Sequence, residues 1–173
     1  AALAVDAIGP DRVFGVSMPS NYSSDHSRSD ADDLAERLGI DIRTEAIAPL
    51  VDPVETQLHL DGVAAENLQA RIRGIILMGL SNAEGHLVLT TGNKTEIAVG
   101  YSTIYGDSVG GFAPIKDVTT EEVWACLLAA RPPWGGSYRD LVALYREAGG
   151  NECPFVTSKA DAPGCGTNSA RFG

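Results

Sequence analysis

At 173 residues the chain is long enough to bury one ordinary hydrophobic core, and 44 % hydrophobic with 21 % charged residues describes a globular chain rather than a disordered one. Its formal charge is −10, from 23 acidic and 13 basic residues, with lysine only at Lys94, Lys116 and Lys159. A field of that sign repels polyphosphate backbones, which argues against broad nucleic-acid or anionic-membrane binding but leaves room for a nucleotide held by a few local donors and a divalent metal.

In chain order, residues 1–8 predict a helix stopped by Gly9-Pro10. Ala1 already stands inside that helix-like run, so the chain is expected to open within an element. The apolar run Val13–Met18 predicts a buried strand, and Ser20–Ser27 a polar loop. Ser29 with Asp32 predicts a capped helix whose buried face is Leu34, Ala35 and Leu38, ending at Gly39. Ile40–Ile47 reads as a second strand. Asp52-Pro53-Val54-Glu55 reads as a capping box with proline at the first helical position.

The strongest periodicity runs from Ala64 to about Ala83, where Leu68, Ile72, Ile75, Ile76 and Gly79 follow helical spacing. His86–Thr91 predicts a strand ending at Gly92, and Asn93–Glu96 starts a further helix. A Gly-rich loop, Tyr105–Gly111, leads to a short extended piece, Phe112–Ile115. Thr119–Glu122 is another capping box, opening a helix with Val123, Trp124, Leu127 and Leu128.

Strands alternating with helices imply a doubly wound parallel α/β sheet, in which ligands bind beyond the carboxyl ends of the strands. The loops after Met18, Ile47 and Thr91 are therefore the functional candidates. After Ala130 the texture changes to Pro132–Gly136, a helical run Arg139–Ala148, and a loose tail. Cys126, Cys153 and Cys165 show neither zinc-site spacing nor a disulfide framework, and read as ordinary thiols of a reducing compartment. No run approaches the roughly 20 apolar residues of a membrane span, and no charged leader precedes an apolar run.

Three groups of residues could carry chemistry. Asn67, Arg71 and Met78 share a stripe of the long helix, offset from its apolar face. The guanidinium there could fork onto a phosphate or carboxylate, with the asparagine bonding a sugar hydroxyl or amide; the alternative is a solvated polar face. Thr90–Glu96 sits where a strand gives way to a helix N-terminus, suited to an anion, with Glu96 able to hold magnesium. The alternative is that Asn93 and Glu96 form a capping box that needs no ligand. Asp107, in a Gly-rich turn, is a weaker candidate metal ligand beside a purely structural role. His26, His59 and His86 are scattered and form no cluster.

The run ENLQARIRG (Glu66–Gly74), then LVLTTGNKTEIAVGYSTIYGD (Leu87–Asp107) and GGFAPIKDV (Gly110–Val118), closely resembles the synthetase domain of bacterial glutamine-dependent NAD synthetases. VSMPSNYSSDHS (Val16–Ser27) and the opening AALAVDAIGPDRV are similar to that family too, so the likeness runs in order from residue 1 to about residue 128. It divides the chain into a partial synthetase domain, 1–130, and an unmatched tail, 131–173.

That resemblance implies an adenine nucleotide alpha-hydrolase fold of the ATP-pyrophosphatase type, incomplete here. It implies ATP and deamido-NAD as substrates and Mg²⁺ as cofactor. The carboxylate of deamido-NAD is adenylated, and ammonia then displaces AMP. It further implies a cytoplasmic enzyme, homo-oligomeric at full length, fed with ammonia by a separate glutaminase domain.

Residue by residue, Asn67 matches a position that contacts deamido-NAD, Arg71 the arginine that contacts it in the ammonia-using relatives, Thr91 one that contacts ATP, and Glu96 an acid described as a deamido-NAD contact or a metal ligand. Asp107 stays a weak metal candidate. The family's phosphate loop, S-G-G-x-D-S, is expected just before Ala1, and without it the chain alone is expected to be inactive. Thr120 stands where many relatives have a lysine that contacts ATP. Ile104 replaces a lysine of the ammonia-using enzymes, which fits the glutamine-using branch. The competing readings are a catalytically dead nucleotide-binding or subunit-interface module of the same fold, or another amidotransferase-linked ATP pyrophosphatase.

Overall fold

The computed structural model describes residues 1–132 and 134–139. Helix α1 (Ala2–Ile8) and a 3-10 turn (Pro10–Arg12) lead into strand β1 (Phe14–Ser17), and helix α2 (Asp25–Leu38) carries the chain to strand β2 (Asp41–Thr44). The two strands pair in parallel, Phe14 opposite Asp41 through Ser17 opposite Thr44. Parallel neighbours need a crossover, and α2 supplies it by packing on both strands through Ala35 and Leu38. The α/β class therefore stands. The wider doubly wound sheet is represented, among the described residues, by this one strand-helix-strand unit.

Helix α2 begins at Asp25, four residues before the expected Ser29 cap. The reason is the tight turn ahead of it: the Ser20 N–H donates to Ser23 Oγ at 2.9 Å and the Tyr22 N–H to Ser20 Oγ at 3.2 Å. That turn shortens the loop and leaves Ser24 at the capping position. Leu34 lies at the edge of the buried face and is exposed, unlike Ala35 and Leu38.

Helix α3 (Ala48–Leu58) likewise starts before the predicted Asp52-Pro53 boundary, with Pro49 in its first turn and Pro53 inside it. Burial of Ile47 decides this. Its N–H donates to the Pro19 carbonyl at 3.0 Å, continuing the strand pairing, and its own carbonyl accepts from Leu50 and Val51, opening the helix at once. Asp52 is then a helix-interior residue, accepting from Asn21 Nδ2 at 3.5 Å, and not a cap.

Helix α4 (Gly62–Glu84) is the long predicted helix. Its Ile72 forms the core cluster with Val51 of α3 and Ile47 just before that helix, and Leu68, Ile76 and Met18, the residue after β1, pack against it. Ile75 falls beside that row and is 63 % exposed, so it is not part of the buried face. At its far end α4 is tied to β2: Arg43 Nη2 donates to both Glu84 carboxylate oxygens, at 2.6 and 2.5 Å. His86 Nε2 stands 3.3 Å from the same carboxylate, and its ring lies 4.6 Å from that of Phe14.

The strand predicted over His86–Thr91 is reduced to an isolated parallel bridge, Leu89 to Phe112. Leu87 and Leu89 are exposed, so the residue pattern is present but no described strand flanks it, and one bridge does not propagate a ladder. Helices α5 (Lys94–Ala98) and α6 (Thr120–Ala129) follow as predicted, α6 burying Trp124 and exposing Leu128. No helix among the described residues is long and apolar enough to cross a membrane. The helix expected beyond Arg139, together with Cys153 and Cys165, lies outside the described residues.

Ile47, with none of its surface exposed, joins sheet end, α3 and α4. Replacing it with alanine is expected to cost about 2–5 kcal/mol, read from the denaturant midpoint of the chain. A loss under about 0.5 kcal/mol, the range of ordinary surface substitutions, would show that this cluster is not the core.

Candidate functional site

Helix α4 presents Asn67, Ala70, Arg71 and Gly74 to the loop 101–111, and that docking is close. A Cβ on Gly106 would stand 2.9 Å from Ala70 Cβ, and one on Gly74 would stand 3.1 Å from the Tyr105 carbonyl. The first is nearer than real side chains come, so glycine is required at Gly106 for the loop to seat, and the second is tight enough that a side chain at Gly74 would make its neighbours shift. Once seated, the loop brings Thr103 Oγ1 to 2.8 Å from Asn67 Oδ1. Asn67 is 5 % exposed and Thr103 not at all. Arg71 Nε donates to the Ile104 carbonyl at 3.2 Å.

Asp107 belongs to the same junction. Its Oδ2 accepts the Thr103 N–H at 2.8 Å, holding the turn that contains Tyr105 in the left-handed region at φ 60°. Asn67, Arg71 and Asp107, chosen from sequence for separate reasons, are thus brought to one helix–loop junction. The solvated-face alternative does not describe Asn67, which is buried.

Thr91 and Glu96 form a second group at the entry to α5. Thr90, not Thr91, is the buried member of its pair, its N–H donating to the Phe112 carbonyl at 2.9 Å, while Thr91 is exposed. The capping box is formed: the Glu96 N–H donates to Asn93 Oδ1 at 3.0 Å, and the Asn93 N–H to Glu96 Oε2 at 2.9 Å. Glu96 Oε1 makes no hydrogen bond among the described residues. The start of α6 is laced onto this turn, with the Lys94 N–H on the Val118 carbonyl at 2.9 Å and the Thr120 N–H on Thr95 Oγ1 at 3.1 Å. Thr120 Oγ1 is also 3.5 Å from Asn93 Oδ1. The short connection Val99–Ser102 joins the two groups, its Tyr101 N–H bonded to the Glu96 carbonyl at 2.8 Å.

A small polar pocket lies beyond the carboxyl ends of β1 and β2, lined by Ser20, Asn21, Tyr22, Asp52 and Gln69 among others, and it contains none of the five sequence candidates. Among the described residues no group of three or more His, Cys, Asp or Glu side chains could hold a metal by itself. A hard cation that takes most of its ligands from substrate phosphates and water needs only one or two carboxylates, so the uncommitted Glu96 oxygen fits that demand.

Two residues escaped the sequence reading. Arg73 donates from Nε to the Met18 carbonyl at 3.1 Å, pinning the end of β1 to α4. Burial pushes its guanidinium below the ordinary arginine value, while the charge of Asp107 opposes that shift. Thr103 is the other. An arginine two positions after Arg71 was the only hint of the first, and an uncharged threonine in a loop gave none of the second.

The cap of α6 carries a pH signature. Hydrogen bonds from the Thr119 backbone and hydroxyl, together with the charge of Lys94, hold the Glu122 carboxyl below the usual glutamate range. A depressed carboxyl stabilises the fold fully above the unfolded value, about 4.3, and that contribution is lost as pH falls through the lower folded value. The Thr119 and Glu122 amide resonances should therefore move together in acid with a midpoint below the ordinary glutamate value. A midpoint at or above it would mean that the cap does not persist in solution.

A family model described as NAD synthase matches residues 1–132. The chain is 51 % identical over 130 residues to a glutamine-dependent NAD(+) synthetase of Synechocystis, covering 72 % of this chain and 23 % of that protein. It is also 51 % identical over 133 residues to the enzyme of the same name from Thermotoga maritima, again covering 72 % and 23 %. Among solved structures it resembles the glutamine-dependent NAD+ synthetase of Acinetobacter baumannii in complex with ADP, with a TM-score of 0.72 and 41 % identity, over 87 % of this chain and 33 % of that one. The chain spans about a quarter of the length of the curated relatives it matches. With residues 1–132 matched and about half of the aligned positions identical to those relatives, the chain belongs to the NAD synthase family.

Proposed function

We propose that this chain is the dinucleotide-handling part of a cytoplasmic, glutamine-dependent NAD synthetase. In the whole protein, deamido-NAD and ATP are converted to NAD, AMP and pyrophosphate, with ammonia supplied by a glutaminase domain outside this chain. The observation that carries the proposal is the junction of α4 with the loop 101–111. It holds a buried carboxamide, Asn67, and a guanidinium one turn on, Arg71, in one docked surface. Those are two of the three side chains that the family resemblance links to deamido-NAD, Glu96 being the third. The Acinetobacter relative, solved with ADP, supports an adenine nucleotide as the second ligand.

The chemistry explains why both ligands are needed. A carboxylate has no good leaving group, so its oxygen first attacks the α-phosphorus of ATP and the bond to pyrophosphate breaks. Ammonia then attacks the acyl carbon, AMP departs with the bonding electrons, and a proton is lost from nitrogen. A bound Mg²⁺ would supply neutralising charge for the departing pyrophosphate. Glu96 would hold it through Oε1 while Oε2 keeps the cap of α5. Thr91, exposed at the same turn, would contact ATP, and Arg71 would anchor an anionic part of deamido-NAD as a planar, permanently charged donor.

A second reading has one observation in its favour. Both α5 and α6 close their own N-termini with complete capping boxes, which leaves less of each terminus for a ligand. A nucleotide-binding or subunit-interface module without catalytic power would look the same there. Substituting Glu96 separates the two readings.

In the full-length protein, Glu96→Gln is expected to slow ATP-dependent pyrophosphate release by at least about 100-fold, the scale of losing one electrostatic stabiliser of a transition state. An unchanged release rate would reduce Glu96 to a helix cap and favour the second reading. The 173-residue chain alone is expected to convert no deamido-NAD to NAD in the presence of ATP and Mg²⁺. Measurable turnover by it would contradict a requirement for residues outside the chain.

A further inference from the structure

Thr103 is fully enclosed, and its backbone is already committed. Its N–H is taken by Asp107 Oδ2 at 2.8 Å, and its carbonyl accepts from the Gly106 N–H at 3.0 Å and from Ser108 Oγ at 3.4 Å. What remains is the hydroxyl, whose partner is Asn67 Oδ1 at 2.8 Å, across 36 residues of sequence.

The direction of that bond follows from the alternative. Were the carboxamide turned over, Asn67 Nδ2 would donate to Thr103 Oγ1, and the hydroxyl proton would need a different acceptor. None is bonded to it among the described residues, and a buried donor without an acceptor carries its full desolvation penalty. The hydroxyl therefore donates and Oδ1 accepts. With Oδ1 committed, the remaining edge of Asn67 is its NH₂ group. Nδ2 has no hydrogen-bond partner among the described residues, and no buried side-chain polar atom there lacks one. It follows that Nδ2 is not sealed and keeps an opening to the outside.

We infer that Thr103 is a positioning residue, fixing the Asn67 carboxamide so that it offers only hydrogen-bond donors to its ligand. The group read at this point is then an acceptor: a carboxylate, phosphate, carbonyl or sugar oxygen. Arg71, one helical turn along, also offers donors only, so the α4 stripe is matched to an acceptor-rich part of a dinucleotide. The inference rests on the reading above that Asn67 contacts deamido-NAD.

Steady-state kinetics of the full-length protein test it. Thr103→Val, which keeps the shape and removes the hydroxyl, should raise KM for deamido-NAD about ten-fold, the scale of one hydrogen bond, while KM for ATP stays within about two-fold. Thr103→Ser should restore KM to within about three-fold of the parent. Asn67→Asp still accepts from Thr103 but turns an acceptor outward, so it should raise KM for deamido-NAD further than Asn67→Ala does. If Asn67→Ala raises KM and Thr103→Val does not, the positioning role is overturned while the contact at Asn67 stands. If Asn67→Ala leaves KM unchanged, the reading of Asn67 itself fails. Should Thr103→Val not fold, the aspartate variant decides alone: a milder effect than that of Asn67→Ala overturns the donor-outward orientation.

Discussion

Seating the loop 101–111 on α4 is the constraint from which the site follows. The buried hydrogen bond between Thr103 and Asn67 joins two polar groups in surroundings where either one left alone would be costly, so the loop cannot lift without exposing both or orphaning one. Close backbone approach at Gly106 and Gly74 permits the bond, and Asp107 shapes the turn that delivers Thr103. On its other flank the same helix is fixed to the sheet by Arg73 on the Met18 carbonyl and by the Ile47, Val51 and Ile72 cluster. Helix α4 is thus a platform with the core beneath and the proposed recognition stripe alongside.

The turn before α5 leaves one side chain room for a second role beside its cap. A carboxylate has two oxygens and about four lone-pair sites, and a capping box uses only one of those oxygens. Glu96 can therefore fold the helix and still face a cation, provided that the cation draws its other ligands from phosphate and water. The lacing of α6 onto this turn through Thr95, Val118 and Thr120 makes the two helix starts a single structural unit. Thr120 stands where the family resemblance implies a lysine. Here its backbone N–H bonds Thr95 and its hydroxyl lies near Asn93, so the position serves the joint between the helices.

What the sequence made legible was local. The capping boxes at Asn93 and Thr119 were readable because their partners stand three residues apart. The long helix was readable because its Leu68–Ile72–Ile76 row repeats every four residues. The early starts of α2 and α3 were not readable. One depends on a serine turn at Ser20–Ser23, and the other on the burial of Ile47, a tertiary event that overrode the proline signal at Pro53. The segment His86–Thr91 has the right residues for a strand, but extended pairing needs neighbours, and local pattern does not report them. Asn67 and Arg71 were found through their stripe and Asp107 as a lone acid in a Gly-rich turn, whereas Thr103 and Arg73 act on partners 36 and 55 residues away. No window of sequence contains both ends of such bonds.

The chain occupies about a quarter of the length of its curated relatives, and the reading proposed for its residues concerns recognition rather than turnover. The most direct measurement is a structure of the full-length protein with deamido-NAD bound. The account predicts an acceptor oxygen of the dinucleotide within hydrogen-bond distance of Asn67 Nδ2, with Thr103 still bonded to Oδ1 and Arg71 alongside the same ligand. A dinucleotide bound away from the α4 stripe, or one presenting a donor to an inverted Asn67 carboxamide, would contradict it.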